Sequence, residues 1–274
     1  MGSPPPGLSQ SQIDQYWSDG YVNGITILTE EQMARARSKL VALERAELDS
    51  NPQQWAQDEY TPWLDTQSEW WSWFKPMVTH PHILSAVQAL LGPNVLIRNA
   101  DIFVKRANNR RGINWHVDCT APLAEADKML TAWFAISDST PDNGCMEFLP
   151  GSHRLNLPEN VRDKETLTFQ GAALAQANRS TRTANVMRAG QMSLHHFRTA
   201  HRSSGNTTNA PRVGLVIRFM AADVSSESAE SGRGFLVAGR NHPGHFGLRS
   251  NFPVTWPRST DGDLQTTANG TMIG

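Results

Sequence analysis

Two cysteines in 274 residues, Cys119 and Cys145, are too few for a disulfide framework, so both are expected as reduced thiols. No run of eighteen apolar residues occurs, which argues against a membrane-spanning helix. The opening MGSPPPGLSQSQ lacks the apolar stretch of an export signal, and the cytoplasm is the expected compartment. Neither sign of charge is in excess. Twenty-five basic against 26 acidic side chains leave a net charge of −1, without the basic footprint that nucleic acid or an anionic membrane surface would require. Internal repeats are absent as well.

What is present is an ordinary globular composition, 39% hydrophobic and 19% charged, long enough for one large domain. Ser9–Asp19 reads as a short helix ended by Gly20, and YVNGITIL as a strand. Thr29 followed by Gln32 is a capping box ahead of a longer helix. HPHILSAVQALLG is a further amphipathic helix with Gly92 at its stop. From Val95 the pattern changes to short β-rich segments: VLIRNADIFVK, INWHVD, MLTAWFAIS, CMEFL, QMSLHHF and RVGLVIRFM. Strands without an intervening helix after each indicate an antiparallel sandwich or barrel. The expectation is one α+β domain: a helical part over 1–92, a β-core over 93–222 and a C-terminal extension over 223–274.

The chemistry starts in GINWHVDCT. On a strand, alternate side chains share a face, so His116 and Asp118 project into one space. His201, at the bend between two later strands, supplies a third ligand. Two histidines and one carboxylate form the facial triad of non-haem iron sites, although zinc fits those three residues as well. Arg212, eleven residues after His201 (212 − 201), opens the strand RVGLVIRF. A buried arginine stays charged and demands an anion. The distal carboxylate of a 2-oxo-dicarboxylate would meet that demand while its 2-oxo acid end reached the metal.

Three segments, WHVD, TAWFAISDSTPDNGCMEFLPGSH and HRSSGNTTNAPRVGLVIRF, together resemble the phytanoyl-CoA dioxygenase family of Fe(II)/2-oxoglutarate-dependent oxygenases over Val95 to Phe219. The resemblance implies a double-stranded β-helix, a jelly-roll or cupin-like pair of antiparallel sheets, with the N-terminal helices packed on it. It implies His116, Asp118 and His201 as the iron ligands and Arg212 as the anchor of 2-oxoglutarate. Ser203 would support the distal ligand, Thr131 and Trp133 would line the cosubstrate, and Lys105 is a further cosubstrate candidate. Arg202 stands where relatives carry glycine, and is expected to point to water.

The implied reaction consumes O2, decarboxylates 2-oxoglutarate to succinate and oxidises a carbon of a small metabolite. Hydroxylation is the default outcome; desaturation, cyclisation or epimerisation are variants of it, and secondary metabolism is a natural setting. Retention of Asp118 disfavours halogenation. The competing reading is a cupin-shaped zinc-dependent hydrolase or isomerase, which would have no need of Arg212. Candidate substrate contacts are Arg98, Asp101, His195 and Arg198, with Trp63, Trp70, Trp71 and Trp73 as possible walls. Residues 155–183 and the tail around Phe235–Phe246 are expected as lids. The partner is a freely diffusing small molecule, and a homodimer is left open.

Overall fold

Side-chain capping sets where the N-terminal helices begin. Ser9 and Gln12 close a capping box on helix α1 (Gln10–Asp19), and Gly20 ends it at φ 84°, in the left-handed region that glycine enters without steric cost. Thr29 and Gln32 make the reciprocal pair, at 2.9 and 3.2 Å, ahead of α2 (Glu30–Ser50). Helix α3 (Pro81–Leu91) has proline in its first turn, a cap from His80 onto the His82 amide, and Gly92 at its end. Its buried residues, Ile83, Ala86, Val87 and Leu90, recur at helical spacing and form one apolar stripe. The computed structural model describes residues 7–50, 59–60, 75–119, 121–155, 169, 171–225, 233–241 and 247–248.

Two antiparallel sheets carry the rest. The larger has the order β1 (Tyr21–Thr26), β8 (Gln191–His196), β5 (Met129–Ala135), β10 (Arg212–Ala221), β3 (Val95–Lys105), β11 (Arg233–Ala238), β12 (Gly247–Leu248), with β2 (Glu59–Tyr60) also on β3. Only the short β11–β12 pair is parallel. The smaller sheet is β4 (Ile113–His116), β9 (His201–Ser203), β6 (Met146–Phe148), β7 (Thr183–Ala184). Two short helices complete the elements used below, α4 (Leu123–Ala126) and α5 (Gly171–Arg179).

Alternation along β5 shows how the sheets divide the core. Leu130, Ala132 and Phe134 join Ile83 and Val87 of α3 in the main cluster, on the helix-covered face of the large sheet. The odd-numbered residues face the small sheet: Trp133 and Ala135 pack with Met146, Phe148 and Tyr21. At the other end, Met129 packs with Cys119, Phe197 and Met220. Between those two apolar clusters Thr131 occupies the same face. The space there is polar.

Three expectations need correction. Arg233–Ala238, expected within a C-terminal lid, is strand β11, antiparallel to β3, and Phe235 and Val237 pack against the main core. Of residues 155–183, Phe169 and Ala177 pack with Trp115, Val117, Leu149 and Ala200; the remainder from 156 to 168 lies outside the described residues, as do the four tryptophans at 63, 70, 71 and 73 and the tail from 249. Arg202 does not simply meet water. Its Nε donates to Glu147 at 2.5 Å and its guanidinium lies 5.1 Å from the Trp115 ring.

Candidate metal centre

Strand β4 ends at His116, and Asp118 follows two residues later. Trp115 and Val117, on the opposite parity, are buried in the cluster with α5. Because the outward pair is apolar and fixed, the inward pair, His116 and Asp118, is presented to the space between the sheets. Strand β9 runs antiparallel beside β4 with His201 directly opposite His116, and the two rings lie 4.1 Å apart. One possible ligand atom from each of His116, Asp118 and His201 lies within 4.8 Å of the others. Among the described residues this is the one such group of histidine, cysteine or acidic side chains.

Each ligand is oriented by a second contact. Nδ1 of His116 lies 2.9 Å from the Asn114 carbonyl, and Nδ1 of His201 lies 2.9 Å from the Thr199 carbonyl. A carbonyl can only accept, so both Nδ1 atoms carry the proton and both Nε2 lone pairs remain for a metal. Burial, joined by the proximity of the two rings, lowers the pKa of His116 to about 4; burial also lowers that of His201 to about 4. Both rings are therefore neutral at physiological pH.

Asp118 is held differently on its two oxygens. Oδ2 accepts from Thr131 Oγ1 at 2.6 Å and lies 3.1 Å from His195 Nε2. Oδ1 faces the Arg218 Nη2 at 3.9 Å. Burial by itself would raise this carboxyl, but the His195 hydrogen bond and the fields of His201 and Arg218 outweigh it and hold the group well below the usual carboxylate range.

These partners come from a single row across the large sheet. His195 pairs with Thr131, Thr131 with Arg218, and Arg218 with Asn99, one residue from each of β8, β5, β10 and β3. Thr131, expected beside the cosubstrate, thus supports the carboxylate. His195, expected at the substrate, is buried against Asp118. Asp101 accepts from Asn99 Nδ2 at 3.0 Å and from Arg218 Nη1 at 2.9 Å. Arg98 falls at the irregularity where β3 steps past β10, between Asn99 opposite Arg218 and Ile97 opposite Phe219. Arg198 turns elsewhere, donating to the Leu155 carbonyl at 2.8 Å.

Arg212 opens β10 opposite Lys105, and both are buried. Lys105 donates to the Ser204 carbonyl, next to Ser203 on β9. The Arg212 guanidinium donates to the Gly144 carbonyl and lies 5.1 Å from the Trp133 ring and 5.6 Å from that of Phe103. Its Nε has no hydrogen-bond partner, and no carboxylate pairs with it among the described residues. Burial draws its pKa down to about 10, so the group is still a cation at neutral pH. Gly214, on the same face two residues along, permits this packing: a Cβ there would run into the Trp133 ring.

Arg218 and Asn99 are the site residues that the sequence reading missed. The signal was strand parity: Arg218 is six residues beyond Arg212 on β10 and shares its face, and Asn99 shares the face of Asp101 on β3.

With this geometry in place, comparison with known proteins identifies the lineage. The signature of the phytanoyl-CoA dioxygenase (PhyH) family matches residues 16–214, a span that includes His116, Asp118, His201 and Arg212. The chain belongs to the phytanoyl-CoA dioxygenase family. It is 30% identical over 155 residues to a protein named "Probable alpha-ketoglutarate-dependent hypophosphite dioxygenase" from Stutzerimonas stutzeri, covering 54% of this chain and 52% of that protein. It is 27% identical over 153 residues to the peroxisomal phytanoyl-CoA dioxygenase of Homo sapiens, covering 53% and 45%. The chain thus spans about half the length of the curated relatives it matches. Among solved structures, the non-heme monooxygenase ThoJ in its nickel complex is similar at a TM-score of 0.64 and 25% identity, over 90% of this chain and 89% of that one. The carbocyclase SnoK from nogalamycin biosynthesis shares the fold at a TM-score of 0.61 and 23% identity, over 82% and 89%.

Proposed function

We propose that this member of the family is an Fe(II)/2-oxoglutarate-dependent dioxygenase that hydroxylates an aliphatic carbon of a small metabolite, built as one domain on a double-stranded β-helix. The observation that carries the reading is the convergence of His116 and His201 from neighbouring strands with Asp118 from the loop after β4, with ligand atoms within 4.8 Å and both Nδ1 atoms already committed to carbonyls. Two neutral imidazoles and one ionised carboxylate suit a divalent first-row metal with open positions. The buried Arg212, without a carboxylate partner among the described residues, supports 2-oxoglutarate over a metal-only hydrolase: a zinc hydrolase has no use for a second, anion-seeking cation in this core.

His116 and His201 would hold iron through Nε2 and Asp118 through Oδ1, with Thr131 and His195 keeping Oδ2 engaged. Bound iron with 2-oxoglutarate supplies the activation of O2 and the oxidising equivalent, at the cost of decarboxylation to succinate. The chain's own residues bind and orient. Arg212, flanked by Trp133 and Phe103, grips the distal carboxylate, with Lys105 and Ser203 nearby. The apolar clusters on either side of the polar row exclude water from the reacting carbon. The undescribed parts of 155–183 and of the tail remain our candidates for lids, and Arg98 and Asp101 for substrate contact. No helix among the described residues is long and apolar enough to cross a membrane, and a cytoplasmic setting with a diffusing substrate fits the reading.

The relatives named as dioxygenases and a monooxygenase support the chemistry without naming the substrate. Incubating metal-depleted protein with Fe(II), 2-oxoglutarate and O2, then assaying succinate across a metabolite panel, tests it. Succinate that depends on Fe(II), and rises with one substrate, is expected. Tightly held zinc and no succinate under any condition would replace the oxygenase by the hydrolase reading.

A further inference from the structure

Arg218, beside the proposed metal site, is shared between two carboxylates. Arg218 Nη1 donates to Asp101 Oδ2 at 2.9 Å, and its Nη2 stops 3.9 Å from Asp118 Oδ1. That Oδ1 is the oxygen left for a metal, since Thr131 and His195 occupy Oδ2. Asp101 is itself fixed by Asn99, which donates to the same oxygen at 3.0 Å. Guanidinium and carboxylate seek a close, preferably bidentate contact. Arg218 makes that close contact with Asp101 at 2.9 Å and stands 3.9 Å from Asp118, past hydrogen-bonding distance.

We propose that Asp101 is a positioning residue that holds Arg218 back from Asp118, keeping the metal-binding oxygen open. The inference rests on the metal site proposed above and adds to it a restraint acting through Arg218. Asp118 is the other carboxylate within ion-pair distance of this cation among the described residues. A direct Arg218–Asp118 hydrogen bond, in place of the present 3.9 Å ion pair, would occupy Oδ1 and bring the positive charge closer to where a dication must enter. Asn99 belongs to the same device: by fixing Asp101 it sets how far the guanidinium can lean.

The test uses full-length metal-free protein titrated anaerobically with Co(II), read by the visible d–d absorption of the bound ion, so that no turnover is needed. Asp101→Asn leaves the shape and removes the charge that retains Arg218. We expect it to weaken Co(II) binding by about 10-fold or more, within the 10–100-fold range of outer-shell changes at metal sites. The double variant Asp101→Asn with Arg218→Met should recover most of that loss, because the competing cation has gone. A role for Asp101 in packing alone would predict no such recovery. Thermal melting of each metal-free variant separates misfolding from the effect; where Asp101→Asn melts early, the comparison is made with Asn99→Ala, expected to weaken binding in the same direction by a smaller factor. Wild-type Co(II) affinity retained by a folded Asp101→Asn protein, or a double variant no tighter than the single one, overturns the inference. Failure of the wild type to bind Co(II) overturns the metal site itself.

Discussion

Thr131 and Asp118, thirteen residues apart, are joined across the inter-sheet space by a 2.6 Å hydrogen bond from hydroxyl to carboxylate. That bond ties the ligand loop after β4 to the centre of the large sheet, on the same oxygen that His195 reaches. Strand parity puts the hydroxyl there, because Thr131 is the polar residue between the apolar Met129 and Trp133 on the inward face of β5.

Thr131→Val preserves the shape and the β-branch and removes the donor. Metal affinity should fall by about 10–100-fold. The metal-free protein should lose about 1–3 kcal/mol, the cost of an undersatisfied buried polar group. Co(II) titration and urea unfolding measure the two effects separately. Unchanged Co(II) affinity would mean that Asp118 keeps its orientation without this bond.

Arg212→Met exchanges a buried cation, without a carboxylate partner among the described residues, for an apolar chain of similar length. Removing a buried charge that no carboxylate pairs among the described residues should leave the ligand-free melting temperature equal or higher. The stabilisation by 2-oxoglutarate should vanish; a ligand at a hundred times its Kd contributes about 2.7 kcal/mol. Thermal shift with metal, with and without 2-oxoglutarate, checks this. An equal shift in the variant would remove Arg212 from cosubstrate binding.

Gly214→Ala places a methyl group against the Trp133 ring. Overpacking of this kind costs about 1–3 kcal/mol, and the ring can yield only by leaving its place beside Arg212. The apparent KM for 2-oxoglutarate should rise several-fold while Co(II) affinity holds, since the ligand row lies elsewhere on the sheet. Equal losses in both would indicate a general collapse of the site.

His196 gives the fold an acid sensitivity of its own. Its Nδ1 accepts the Arg198 amide at 3.0 Å and its Nε2 lies 3.0 Å from Asp127, so the neutral ring with the proton on Nε2 satisfies both neighbours. Asp127 would favour a cation, but a proton on Nδ1 would break the amide bond. Burial, the largest cause, with His153 and Arg198 adding to it, lowers the pKa to about 3. Between about pH 6.5 and 3 the unfolded chain binds a proton at this histidine that the folded one refuses, so stability falls as pH falls through that window. His196→Asn should be less stable at pH 7 and show a shallower decline toward pH 4 in urea unfolding. A decline as steep as the wild type would assign the acid sensitivity to other groups.

Much of this architecture could be read before any coordinates. β3 occupies Val95–Lys105, the whole of VLIRNADIFVK, and β10 begins at Arg212 as expected, because long, strongly β-branched runs bounded by turns admit few alternatives. The capping pair Thr29 and Gln32 marked a helix start through local chemistry alone. His116 and Asp118 were legible by parity. Three-residue β9 was not, because so short a strand has no period of its own and exists by pairing with β4 and β6. β11 was hidden for a related reason: its place depends on a free edge of β3, a property of the sheet that its six residues do not encode. The partners of Asp118 were out of reach too, since which hydroxyl or imidazole meets a carboxylate depends on the register of four strands.

The oxygenase reading meets its most direct test in an anaerobic titration of metal-depleted protein with Fe(II) and then 2-oxoglutarate, followed by visible absorption. A 2-oxo acid chelated to ferrous ion gives a charge-transfer band that zinc and unchelated iron do not. The band should grow to one equivalent in the wild type, be lost in Asp118→Ala, and require far more 2-oxoglutarate in Arg212→Met. A wild-type protein that takes up iron yet shows no band at saturating 2-oxoglutarate would contradict the account.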